Sequence, residues 1–246
     1  FERDWDQAIT HALKYEQISG EAMGESIAHY YCELSEKYIH ESNLHKAREQ
    51  IALAYSADSQ CVRAGMLEGK LDLLEKNDVG AIRAFERVAR HDPEYLPEIL
   101  PQLMECYERR DELVRARGFL QEVIEQYSGV TPLLALAELI ERAEGPAVSQ
   151  AFLAKQLIQS PSVRGEAVLL EKVIGFPAHD PNETLKTLKQ ITDQLLVRSA
   201  NYRCVNCGFG ARSHHWQCPR TKNWGSVKPL LNLLGKLVGT IVEKAT

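Results

Sequence analysis

The sequence predicts an all-α solenoid of paired helices that ends in a small cysteine-rich β module. Three observations support this fold class. Small and bulky apolar residues recur with a period of about 34 residues, short polar breaks interrupt the helical pattern, and three clustered cysteines follow residue 200. Periods of this length are typical of repeat proteins, in which each hairpin covers the apolar face of the next. We therefore expect no strand before residue 200.

The repeat is clearest in the second helix of each predicted hairpin. A small residue is followed by a bulky or apolar one four residues later and by another small or apolar one after seven. The four sets are Ala47, Ile51 and Ala54; Ala81, Phe85 and Val88; Ala116, Leu120 and Val123; and the degenerate Ala147, Ala151 and Ala154. This pattern resembles the tetratricopeptide repeat, whose small side chains let two helices approach closely. The resemblance covers residues 26–128 and weakens over 130–165.

Polar segments mark the turn inside each hairpin. They are Ser42-Asn43, Asn77-Asp78, Arg110-Asp111 and Glu144-Gly145-Pro146. Residues 1–20 resemble the second helix of a repeat that lacks its first helix, and the chain begins with Phe1, so we interpret it as part of a longer protein. We divide it into a helical solenoid over 1–175, a linking amphipathic helix over 176–200, a metal module over 201–229 and an apolar tail over 230–246.

Charge is distributed unevenly along the chain. The net charge is −5, yet the stretch from Gln194 to Thr240 has no acidic residue and carries +7, which leaves −12 for the remainder. A basic module beside an acidic body favours contact with lipid headgroups, with nucleic acid or with the body itself. No apolar run approaches the roughly 18 residues that span a bilayer. The tail over 230–246 is expected either to pack on the repeats or to touch a membrane surface.

The six cysteines fall into two groups. Cys32, Cys61 and Cys106 are dispersed through the helical pattern and are interpreted as small core residues. Cys204, Cys207 and Cys218 are clustered at the spacing of metal ligands, which favours a reducing compartment over a secreted disulfide framework.

The clustered cysteines predict a metal site with one irregular position. Cys204 and Cys207 form a complete C-x-x-C-G turn, whereas the second pair has Cys218 but Thr221 where another sulfur is expected. Three alternatives follow: His214 or His215 supplies the fourth ligand, water or a weak oxygen does so, or the module keeps its fold with little or no metal. We expect a β-hairpin between Cys207 and Cys218, with an apolar core of Tyr202, Phe209, Trp216 and Trp224.

Helical repeats followed by this cysteine segment resemble the bacterial lipopolysaccharide assembly protein B family. The matching residues are Tyr202-Arg203-Cys204, Cys207-Gly208-Phe209, Trp216, Cys218-Pro219, Trp224-Gly225 and Lys228-Pro229, with His29–Leu34 in a middle repeat. The resemblance implies tetratricopeptide repeats packed with a rubredoxin-like module that binds zinc or iron through Cys204, Cys207 and Cys218. It also implies that a membrane anchor precedes this chain and holds it at the cytoplasmic face of the inner membrane.

The same resemblance implies a non-catalytic adaptor that regulates lipopolysaccharide biosynthesis. Its partners would be the lipid A deacetylase LpxC, the membrane protease FtsH and an inner-membrane lipopolysaccharide sensor, with self-association left open. The sequence shows no Gly-rich phosphate loop, nucleophile elbow or H-E-x-x-H motif.

A repeat solenoid also offers a groove lined by the first helix of each hairpin. The repeat register places nine candidate protein-binding residues there: His29, Glu36, His40, Arg63, Met66, Lys70, Leu74, Glu105 and Arg109. Alternatives to the adaptor are a generic tetratricopeptide peptide-binding scaffold, a nucleic-acid-binding zinc ribbon, motivated by the +7 segment, and a redox protein, disfavoured by the missing sulfur. Nucleic acid is not the expected partner.

Overall fold

The computed structural model describes residues 4–160, 162–175 and 199–230, and these contain ten α-helices, one 3₁₀-helix and three short strands. The helices are α1 (Trp5–Ser19), α2 (Gly24–His40), α3 (Leu44–Ala57), α4 (Val62–Leu74), α5 (Asp78–His91), the 3₁₀-helix Pro93–Tyr95, α6 (Leu96–Arg109), α7 (Leu113–Gln126), α8 (Val130–Glu144), α9 (Pro146–Gln159) and α10 (Val163–Gly175). The strands are β1 (Tyr202–Cys204), β2 (Gly210–Ala211) and β3 (Val227–Pro229). This confirms the predicted fold class. Except for residues 199, 200 and 230, the predicted linking helix and tail lie outside the described residues.

The backbone repeats with the period of the sequence. Ser42, Lys76 and Asp111 have φ values of 57°, 59° and 56°, which places each in the left-handed region at the end of a helix. The next residue in each case donates its backbone N–H to a carbonyl five residues before it, at 2.8 to 2.9 Å. This 6→1 bond closes the C-terminus of a helix. All four predicted polar segments therefore mark breaks between helices.

The small residues of the repeat lie where the two helices of a hairpin meet. Ala47, Ala81 and Ala116 are each fully buried. In the hairpin formed by α4 and α5, a Cβ added to Gly69 would lie 2.4 Å from the Phe85 ring, so the ring occupies the space that the glycine leaves. Close approach at these positions is the physical basis of the periodic pattern.

The described chain forms two compact units. The first contains residues 4–112 together with 222–225, and the second contains the remaining described residues. The first unit has an apolar core between α1 and α2 and another among α2, α3 and α4. The second unit has a helical core around Leu133, Ala137 and Leu153 and a separate small core around the cysteines. No helix in the described part of the chain is both long and apolar enough to cross a membrane.

The three strands form one antiparallel sheet in the order β2-β1-β3. Tyr202 pairs with Ala211 on one side and with Pro229 on the other, and Cys204 pairs with Val227. The hairpin therefore encloses the first cysteine turn, and the expectation of a hairpin between Cys207 and Cys218 was wrong. The turn that contains Cys207 follows β1, and the turn that contains Cys218 precedes β3. Because β1 pairs with β3, the two cysteine turns lie beside each other.

Candidate metal centre

Three cysteine sulfurs converge beside the small sheet. Cys204 ends β1, Cys207 lies in the following turn, and Cys218 lies in the second turn; their Sγ atoms all lie within 4.8 Å of one another. The sulfurs of Cys207 and Cys218 are 3.7 Å apart. Tetrahedral zinc with Zn–S bonds of about 2.3 Å requires sulfurs roughly 3.8 Å apart. The three thiols therefore fit a thiophilic ion such as zinc or iron.

The first cysteine turn is closed by backbone hydrogen bonds. Gly208 N–H donates to the Cys204 carbonyl at 2.9 Å, and Cys204 N–H donates to the Phe209 carbonyl at 2.8 Å. Gly208 has a φ of 72°, a conformation that glycine adopts without strain. The glycine of the C-x-x-C-G motif therefore lets the chain turn back sharply after Cys207 and brings the two sulfurs to one side.

Polar contacts around the sulfurs of Cys204 and Cys218 favour thiolates. The Ser226 hydroxyl lies 3.5 Å from Cys204 Sγ and is the main cause that lowers the pKa of Cys204 to about 6. Burial opposes ionisation of Cys218, but the Thr221 hydroxyl and the backbone N–H groups of Thr221 and Arg220 lower its pKa overall. Metal-binding cysteines must be deprotonated, so these contacts prepare two of the three sulfurs for coordination.

Cys207 behaves differently. A hydrogen bond from the Phe209 backbone favours its thiolate, but burial and the neighbouring sulfurs outweigh it and raise the pKa of this thiol. A bound cation relieves the mutual repulsion of closely placed thiolates such as these.

Thr221 lies beside two of the three sulfurs. Its Oγ1 lies 4.0 Å from Cys204 Sγ, and its backbone N–H donates to Cys218 Sγ at 3.5 Å. The side chain thus faces the cluster where a fourth sulfur would lie, but a neutral hydroxyl is a weaker ligand than thiolate for a soft ion.

The two histidines lie elsewhere in the module. His214 Nε2 is 3.1 Å from the Val227 carbonyl oxygen, and its ring packs edge-on against Trp216. The ring of His215 lies against Phe209, 6.2 Å between centroids. Neither belongs to the group of candidate ligand atoms formed by the three cysteines. The structure therefore brings together three of the predicted metal-binding residues and leaves both histidines outside the group.

The predicted groove residues have very different exposures. His29 and Arg63 are buried, Glu36 and Met66 are half-buried, and His40, Lys70, Leu74, Glu105 and Arg109 are exposed. Arg63 is only 2% exposed and lies 3.0 Å from Glu33 and 2.9 Å from Glu36, so its charge is compensated inside the first unit. Arg109 forms an ion pair with Asp78. The role of these residues in binding a partner stays a prediction.

Trp224 packs on the first two helices. Its ring stacks on His29 with centroids 4.9 Å apart and an interplanar angle of 16°, and it meets Tyr30 and Trp5 edge-on at 5.9 and 6.5 Å. We had expected Trp224 in the core of the metal module, but residues 222–225 belong to the first unit. The core around the cysteines contains Tyr202 and Phe209 instead.

Replacing Trp224 with alanine is expected to destabilise the first unit by about 1–3 kcal/mol, because a half-buried ring and three aromatic contacts are lost. Urea denaturation followed by circular dichroism measures the effect. The matched control is Trp224→Phe, which keeps an aromatic ring and should lose less than half as much stability as Trp224→Ala. Equal stability of Trp224→Ala and the unchanged protein would show that the ring contacts contribute nothing.

Sequence reasoning missed two features of these sites. Ser226 is the nearest hydroxyl to Cys204, although it lies 22 residues away along the chain. Cys32 and Cys61, interpreted as separate core residues, lie with their sulfurs 3.9 Å apart. Neither pairing has a short-range sequence signal, since strand pairing and helix packing bring the partners together.

Comparisons with known proteins agree with these observations. A family model described as "Rubredoxin metal binding domain" matches residues 202–229. Lipopolysaccharide assembly protein B of Escherichia coli K12 is 26% identical over 237 residues, covering 94% of this chain and 60% of that protein. The protein of the same name from Haemophilus influenzae is 30% identical over 235 residues, covering 94% and 58%. The chain thus spans about three fifths of the length of these relatives.

A solved structure, "YrrB: a TPR protein with an unusual peptide-binding site", is also similar. It covers 76% of this chain and 98% of its own, at 15% identity and a TM-score of 0.40.

Proposed function

We propose, from the premise that the chain is a homologue of the lipopolysaccharide assembly protein B family, that it is the repeat and metal-module part of a non-catalytic adaptor. The adaptor would act at the cytoplasmic face of the bacterial inner membrane and restrain lipopolysaccharide synthesis. It would do so by promoting proteolysis of the lipid A deacetylase LpxC by FtsH, under the control of an inner-membrane lipopolysaccharide sensor.

The observation that carries this proposal is the extent of the similarity. It runs through 94% of the chain and joins the helical repeats to the cysteine module in one order. Helical repeats alone are shared by proteins of many functions, whereas the combination with this module is specific. Two of the three cysteines are enclosed rather than open to a substrate, with Cys204 1% and Cys218 0% exposed, and Cys207 is half-buried. Enclosed thiolate sites serve structure more often than catalysis.

Zinc or iron held by Cys204, Cys207 and Cys218 would stabilise the module when bound. The three strands contain eight residues, too few to hold a fold by their own packing. A metal ion supplies that folding free energy because the ligands come together only in the folded state. The surface around the metal would then be available as a rigid contact surface for a protein partner.

The proposed function predicts faster turnover of the deacetylase. The natural protein that contains this chain would be expressed in cells depleted of their own lipopolysaccharide assembly protein B. We expect the half-life of LpxC to fall severalfold, and only while FtsH is active. The matched control is the double variant Cys204→Ser/Cys207→Ser, which should be inactive. An unchanged half-life, with the protein present at normal level in the membrane, would contradict the proposal.

A further inference from the structure

Two buried cysteines of the helical repeats form a close pair. Cys32 lies in the middle of α2 and Cys61 is the residue directly before α4, and their sulfurs are 3.9 Å apart. Cys32 is fully buried and Cys61 is 5% exposed. Both lie in the same apolar core with Ala28, Ala64 and Leu67. Thiols at this separation are in van der Waals contact and need only a local movement to form a bond.

The surroundings favour a thiolate on Cys61 and a thiol on Cys32. The contact between the two sulfurs is the main cause that lowers the pKa of Cys61 and raises that of Cys32. The Ala64 backbone N–H in the first turn of α4 and the Arg63 guanidinium also favour the Cys61 thiolate. By contrast, burial raises the pKa of Cys106 to about 11. Low-pKa thiols are the reactive ones.

Cys61 forms part of the lining of a small pocket. Its volume is about 150 Å³, and its lining includes Tyr55, Cys61, Arg87 and His91. A hydroperoxide of a few heavy atoms fits this volume. Cys106, which is also buried, does not line this pocket.

We propose that Cys61 is a site of reversible oxidation by small hydroperoxides and that Cys32 is its resolving thiol. The Cys61 thiolate attacks the terminal oxygen of the hydroperoxide, the O–O bond breaks to leave a sulfenic acid, and the departing alkoxide or hydroxide takes a proton from water to become an alcohol or water. The Cys32 sulfur then attacks the Cys61 sulfur, its proton and the sulfenic hydroxyl leave as water, and a disulfide results. The two sulfurs are oxidised by two electrons in total and one peroxide is reduced, and a second dithiol restores the pair.

The disulfide would join the first helices of two successive hairpins. A bond of about 2.05 Å requires the sulfurs to approach by about 1.9 Å. Cys61 is placed to move, since it lies in the short connection between α3 and α4 and not within a helix. Arg63 follows Cys61 by two residues and forms ion pairs with Glu33 and Glu36 on α2. Oxidation would therefore restrict the relative movement of α2 and α4, whether or not the adaptor role is correct.

Peptide mapping after oxidation tests the pair directly. The purified protein with its metal would be treated with hydrogen peroxide, alkylated and digested with trypsin. We expect residues 15–37 and 49–63 to appear as one linked species, two hydrogens lighter than the sum of the separate peptides, and to separate on reduction. In Cys32→Ser, a dimedone adduct should appear at Cys61, while the matched variant Cys106→Ser should form the 32–61 link as before.

The rate of alkylation gives a second readout. It is measured separately for Cys61 and Cys106, so reaction of the metal-module cysteines does not enter the comparison. At neutral pH we expect Cys61 to react with iodoacetamide at least about 10-fold faster than Cys106. Two results would overturn the proposal: equal reactivity of Cys61 and Cys106, or peroxide treatment that oxidises the metal-module cysteines and leaves Cys32 and Cys61 as free thiols.

Discussion

Phe85→Ala is expected to destabilise the first unit by about 3–5 kcal/mol, the cost of removing a large aromatic side chain from a closed core. Phe85 is 1% exposed and its ring occupies the space left by Gly69 on the facing helix. Removing the ring would leave a cavity between α4 and α5 that their backbones are too rigid to close. The midpoint of urea denaturation, with an unchanged slope, measures the loss.

Two matched variants show whether the loss comes from this packing. Ile18→Ala removes a large apolar side chain that is 86% exposed, and it should change stability by less than about 0.5 kcal/mol. Gly69→Ala should destabilise the chain because its new Cβ would lie 2.4 Å from the Phe85 ring, and Phe85→Leu in the same chain should recover part of that loss. A cost of less than about 1 kcal/mol for Phe85→Ala would contradict the helical-hairpin packing.

Thr221→Cys is expected to raise the affinity of the module for zinc by at least about 100-fold. Replacing groups that only support metal ligands already changes affinity by about 10–100-fold, and a fourth thiolate binds the ion itself. The Thr221 side chain faces the cluster, with its Oγ1 4.0 Å from Cys204 Sγ. A cysteine at this position would therefore place a fourth thiolate beside Cys204 and Cys218. Competition with a chromophoric chelator measures the affinity.

Thr221→Ser is the matched control, since it keeps the hydroxyl and should leave zinc affinity within about 10-fold of the original. His214→Ala and His215→Ala complete the set. Both should retain metal, because neither side chain lies with the three sulfurs. Loss of metal in either histidine variant would restore the alternative in which a histidine supplies the fourth ligand. An unchanged affinity in Thr221→Cys would show that residue 221 does not face the ion.

Much of the helical part was predictable because its signals are local. The spacing of Ala47, Ala81 and Ala116 follows directly from helix packing, and each alanine is fully buried. The polar breaks were predictable for the same reason: a residue such as Ser42 in the left-handed region, followed by Asn43 as helix cap, needs only its neighbours along the chain.

The failures concern contacts between residues far apart in sequence. No local sequence feature shows whether Trp224 packs on α1 and α2 or in the cysteine core, because an aromatic residue suits either place. The β-hairpin was misplaced because strands of two or three residues have no readable alternation. The repeat positions of His29 and Arg63 gave no sign that stacking and ion pairing bury them, and their role in binding a partner stays a prediction.

The most direct test of the metal centre is the metal content of the purified native chain, measured by inductively coupled plasma mass spectrometry beside Cys218→Ser. We expect one zinc or iron ion per native chain and less than about one tenth of that in the variant, since Cys218 supplies one of only three sulfurs. Cobalt substitution should show a thiolate-to-metal charge-transfer band for three sulfurs. A native chain that is folded over residues 202–229 without any metal, with all three thiols free to react, would contradict the three-thiolate centre.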